Sequence, residues 1–195
     1  MSRFLLGLFL LLRLAASVHA HELPDGEIER RVQVVVKPDV VLVEYSLAMN
    51  EATLDKELHR FSEKPAEKLA EKWNQYREVI LPQLPKHMRV TIDGERVSLQ
   101  AVRAVYTGWS HVHLTCLLKT EIEMGRERTS IVVTDTNFPK TPGHFRFAMK
   151  GRSGATIENA TVPPTLSRAK PVALAELAKP QREAAAKAKG EIVLD

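Results

Sequence analysis

The 195-residue chain has one cysteine, Cys116, so it forms no intrachain disulfide and its core must supply stability alone. It lacks a Gly-rich phosphate loop, a G-x-S-x-G elbow and an H-E-x-x-H pair. That removes the motif-bearing nucleotide-binding, serine-hydrolase and zinc-peptidase classes. It also lacks a decisive excess of one charge. Its 28 basic residues stand against 24 acidic ones, for a net charge of +4, too small and too evenly spread for a nucleic-acid partner. Beyond the first residues no apolar run reaches membrane-spanning length, so the mature chain is expected to have no transmembrane segment. No catalytic motif stands out, and the expectation is a protein that is not an enzyme.

What is present begins at the N-terminus. Met1-Ser2-Arg3 is a short positive start, Phe4 to Leu14 is apolar except for Arg13, and Val18-His19-Ala20 ends in small residues at the positions a signal peptidase reads. Residues 1–20 therefore read as a signal peptide, too short in its apolar core to anchor in a bilayer. Cleavage after Ala20 makes His21 the first residue of a periplasmic or extracellular protein. Without Arg3 and Arg13 the basic count falls to 26 against 24 acids, so the mature net charge is +2.

The remaining chain alternates mainly with period two. Val32, Val34 and Val36 form one face of a strand, Pro38-Asp39 turns, and Val41, Val43, Tyr45, Leu47 and Met49 form a second. After Asn50 the period changes. Leu54, Leu58 and Phe61 fit a helix capped by Asn50, and Leu69, Trp73, Tyr76 and Ile80 fit a second helix capped by Ser62 and ended by Pro82 and Pro85. Strand spacing then returns. Met88, Val90 and Ile92 meet Val97 and Leu99 across Asp93-Gly94, and Val102–Tyr106, His111–Leu118, Ser130–Thr134, Phe145–Met149 and Thr156–Val162 follow. The pattern predicts a mainly β protein, an antiparallel Ig-like β-sandwich over residues 21–164, with a helical insertion at about residues 51–81. Residues 165–195 have no aromatic side chain and are rich in Ala, Lys, Glu and Pro, which predicts a flexible tail with transient helix.

Four stretches together resemble a known family. They are His21-Glu-Leu-Pro-Asp-Gly, then the run from Val32 through Lys37-Pro-Asp to Asn50-Glu51, and later Leu84-Pro-Lys-His-Met with Asp93-Gly94 and Asp135-Thr-Asn-Phe-Pro. Over about Ala20 to Pro164 the chain is similar to the extracytoplasmic N-terminal domain of nickel/cobalt-transporter-like and HupE-type proteins. It departs from that pattern at its start, with His-Glu-Leu-Pro-Asp in place of His-Pro-Leu-Gly-Asn, and it is expected to stand alone without the membrane helices. The resemblance implies a β fold and an association with a membrane metal-transporter partner.

The candidate chemistry is metal binding. A mature N-terminal His21 offers its α-amine and its imidazole Nδ1 to one ion, and such nitrogen ligands suit Cu(II) or Ni(II). His111 and His113, two apart on a strand, project from one face and are the expected completions, with His144 a weaker fourth. Cys116 has the opposite parity and reads as a buried hydrophobe. Trp109 reads as a cover for one end of the core, and Asp135 and Asn137 as turn residues bonding the local backbone. Glu51, Asp55 and Glu57 read as helix charge decoration, and Asn159-Ala-Thr161 matches a glycosylation sequon. The alternative function is a purely structural protein-interaction domain without metal, its contact carried by an exposed patch around Trp73 and Tyr76.

Overall fold

The computed structural model describes residues 23–107, 112–123, 126–163 and 173–194. Alternating burial sets the first hairpin. Strand β1 (Glu29–Lys37) buries Arg30, Val32, Val34 and Val36, turns at Pro38-Asp39, and pairs antiparallel with β2 (Val40–Met49) from Lys37↔Val40 to Glu29↔Ala48. The helical insertion follows as α1 (Glu51–Leu58) and α2 (Leu69–Ile80), then a 3-10 turn at Leu84–His87. Asn50 caps α1, its side-chain oxygen accepting the Thr53 N–H at 2.8 Å.

The second helix starts later than its periodicity suggests. Ser62 does not cap it; the Ser62 hydroxyl instead accepts the Lys64 N–H at 3.3 Å, and the backbone N–H of Ala66 goes to the Gln75 side chain at 3.1 Å. Such local side-chain bonds compete with helix nucleation. From Leu69 onward the expected face does turn inward: Trp73, Tyr76 and Ile80 are buried, while Leu69 stays exposed.

The rest is strand: β3 (Met88–Ile92), β4 (Glu95–Val97), β5 (Gln100–Thr107), β6 (Val112–Glu121), β7 (Arg128–Asp135), β8 (Phe145–Gly151) and β9 (Ala155–Thr161). A 3-10 turn at Leu174–Glu176, a helix α3 (Lys179–Ala186) and a final strand β10 (Lys187–Leu194) complete the described chain. Two five-stranded sheets result, in the orders β5-β6-β2-β1-β8 and β4-β3-β7-β10-β9. The molecule is mainly β, a two-sheet sandwich with a helical insertion, and one shared core joins Val32, Val43, Leu47 and Leu118 of the first sheet to Val90, Ile131, Val133 and Ile192 of the second.

Two expectations are corrected. The sheets are not wholly antiparallel, because β8 pairs parallel with β1 from Arg30↔Phe145 to Val36↔Gly151. The chain enters β8 from β7 in the opposite sheet, so no hairpin dictates its direction. Nor is all of the C-terminal stretch a flexible tail. Residues 187–194 form β10, antiparallel to both β7 and β9, in the interior of the second sheet. Its inward positions are Ala188, Gly190 and Ile192. A Cβ at Gly190 would come within 2.9 Å of the Ile157 side chain, so small residues fit here where a large apolar face would not.

Candidate functional site

The β2–β6 ladder decides where the proposed ligands sit. Ala48 pairs with His113 and Met49 with Val112, so the start of β6 lies at the Asn50 end of the first sheet. His113 is exposed on the outer face. Cys116, of opposite parity, is buried, and burial pushes its thiol pKa up to about 12. His21 and His111 lie outside the described residues, as does Trp109. Among the described residues no group of three or more His, Cys, Asp and Glu side chains is arranged to hold a metal ion.

The start of the described chain is fixed at this same end. The Asn50 side-chain amide donates to the Leu23 carbonyl at 2.9 Å and to the Asp25 carboxylate at 2.6 Å, and the Gly26 N–H donates to the Thr53 hydroxyl at 2.7 Å. Asn50 therefore serves helix and N-terminus together, accepting from one and donating to the other.

His144 does not join His113. It immediately precedes β8, three strands from β6 in the sheet order, about 14 Å at the usual strand spacing. Its side chain is buried, and its backbone carbonyl accepts the Arg30 N–H at 2.7 Å. His59 and His87 are exposed at the end of α1 and in the 3-10 turn.

The aromatic pair of the insertion is no surface. Trp73 and Tyr76 are buried at 1% and 0% exposure, edge to face at 5.9 Å, with Tyr106 stacked on Trp73 at 5.9 Å. This corrects the contact patch assigned to them: the amphipathic face that marks α2 packs on the core. Nearby, Lys72 bridges α2 to α1 by donating to Glu51 and Asp55, both at 2.8 Å. Glu57 is buried, which raises its pKa, and pairs with Arg60 at 2.7 Å. Asn159 is exposed at φ +50°, its amide donating to Glu191 at 2.9 Å.

A buried polar network, not foreseen from spacing, joins the two sheets near the N-terminal end. The Tyr45 hydroxyl donates to Asp135 Oδ2 at 2.9 Å across the core. Asp135 Oδ1 accepts the backbone N–H and the side-chain amide of Asn137 at 3.0 and 2.7 Å. Arg30, fully buried, donates to the Asn137 carbonyl at 2.7 Å and lies over the Phe145 ring, 5.0 Å from its centre. The expected turn role of Asp135 and Asn137 is therefore only part of their bonding. Burial raises the Asp135 pKa, against the lowering influence of Arg30, Asn137 and Tyr45. Burial and the Asp135 charge hold Tyr45 well above the ordinary phenol range, so it remains a donor. The same loop holds Phe138 at φ +51°, a costly conformation for a bulky side chain that the surrounding bonds enforce. The inward parity of residue 30 with Val32 and Val34 is the sequence signal for this network.

No protein-family model matches the chain, and no curated protein matches it.

Proposed function

We propose that this chain is an exported, non-enzymatic β-sandwich module that binds Cu(II) or Ni(II) through the α-amine and imidazole of a mature N-terminal His21, beside a membrane metal-transporter partner. His113 and His111 complete the ligand set. The observation that carries this reading is the clamping of Leu23 and Asp25 by Asn50 at the sheet end where β6 begins. Leu23, two residues after the proposed mature terminus, is thereby held at that end. His113 stands there, exposed, paired with Ala48 of β2 on one side and Thr107 of β5 on the other. Binding by an α-amine whose ordinary pKa is about 7.7–8.0 competes with a proton, so affinity rises with pH through neutrality.

Calorimetry on protein that begins at His21 tests the reading. Cu(II) or Ni(II) is expected to bind one ion per chain. A single residue added ahead of His21 is expected to weaken binding at least about tenfold, because it ties the α-amine into a peptide bond. His113→Ala is expected to weaken it further. No heat with either ion, or equal affinity for the extended chain, sinks the metal reading.

A further inference from the structure

We propose that the opposite end of the sandwich binds an extended, lysine- or arginine-bearing polypeptide segment as an added strand. The β2–β6 ladder ends there at Val40↔Glu121, away from Asn50 and His113, so this site does not depend on the metal reading. At that end the β3–β4 hairpin of one sheet stands off the end of β6 in the other. Two clefts of about 360 and 590 Å³ open between them, and a third of about 420 Å³ adjoins at Asp39 and Val40, sharing Glu121 with both.

Charge selects the occupant. The chain carries a net charge of +4, yet the cleft walls are acidic: Asp39, Asp93, Glu95, Glu121 and Glu123, all exposed. The cations there are Lys119, already paired with Glu121 at 2.9 Å, and Arg126. Among the described residues the other four carboxylates have no ion-pair partner. The floor is apolar, formed by Ile92, Val97 and Ile122. Lysine and arginine suit both surfaces, laying aliphatic stems on the floor and charged heads on the walls.

Two further features specify a strand over a diffuse cation. Glu121 and Glu123 stand two residues apart, the repeat at which an extended chain presents successive side chains of one face. The second feature is a backbone edge beside the cleft that pairs with no strand among the described residues. Asp93-Gly94, at φ +49° and +85°, makes a two-residue turn with both residues left-handed, and β4 is the edge strand of its sheet. In that register Ile92 and Glu95 close the turn as a hydrogen-bonded pair. The N–H and C=O of Arg96 then point away from β3, where an added strand can take them up.

The test uses amide chemical shifts of the mature protein titrated with a short capped peptide of alternating lysine and valine. Controls are the same peptide with glutamate for lysine, and spermine. The expected result is saturable shifts confined to Ile92–Val97 and Lys119–Glu123 with the lysine peptide and none with the glutamate peptide. Affinity should fall about tenfold in the folded Glu121→Gln/Glu123→Gln variant, since opposed charges guide such docking. Absence of saturable shifts, or binding that the double substitution leaves unchanged, overturns the proposal. Equal affinity and the same shifts with spermine also overturn it, showing a polycation sink with no strand recognition.

Discussion

Asp135 shows how a single buried carboxylate is held between opposing effects. Burial raises its pKa, whereas the Arg30 charge and hydrogen bonds from Asn137 and Tyr45 pull it down, and burial prevails. A folded-state value above the unfolded one means that the folded protein binds this proton more readily. Its contribution is thus fully present below the ordinary aspartate pKa and is lost as pH rises through the raised folded value. Urea unfolding of the wild type and Asp135→Asn across that window checks the sign. The wild type should lose stability relative to the variant as pH rises, and a flat or reversed difference contradicts the assignment. Arg30→Ala should cost about 2 kcal/mol, because it strips the buried Asn137 carbonyl of its donor. Cys116, with its thiol at about 12 and fully buried, should resist iodoacetamide at pH 8 in the folded protein and react once denatured.

Elements were legible where one face is large and apolar. The Val32–Val36 and Val41–Met49 alternation, the Asp93-Gly94 turn and the Trp73–Ile80 helical face all read directly; the alternation and the helical face are buried in the fold, and Asp93-Gly94 makes the exposed turn. Legibility failed where burial is done by small or polar groups. The interior strand β10 turns Ala188 and Gly190 inward, so its composition resembles a solvated tail although it pairs on both edges. Arg30 sat at a core position of a valine strand, and its partners came from residues more than a hundred positions away, beyond the reach of local spacing. For the metal candidates the sequence gives parity only: His113 faces outward and Cys116 inward as alternation requires, while His21 and His111 lie outside the described residues. Two predictions belong at this scale. Removing residues 187–195 leaves β7 and β9 without their shared neighbour, and the truncated chain should lose its cooperative thermal transition. Asn50→Ala should cost about 1 kcal/mol in unfolding free energy through the lost cap, and should expose the Leu23–Gly26 backbone to faster amide exchange because the same side chain clamps that segment. Loss of stability with unchanged exchange at the N-terminal segment would separate the two roles.

As a whole molecule, the sandwich offers two chemically distinct ends joined by one core. One end gathers the clamped N-terminal segment, the α1 cap and the exposed His113; the other carries carboxylates around the mouth between the sheets. Among the described residues of the core, the Cys116 thiol is buried and its pKa raised to about 12, and Asp135 and Tyr45 are bonded to each other across the sheets. The proposed function lies at one end of the strands, and its central premise is that export and trimming create a metal-binding N-terminus. Native mass spectrometry of the exported protein, recovered and supplied with equimolar Cu(II), tests this in one reading. The expected result is a chain that begins at His21 and retains one copper ion; a chain that begins elsewhere, or one that begins at His21 and carries no copper, contradicts the proposal.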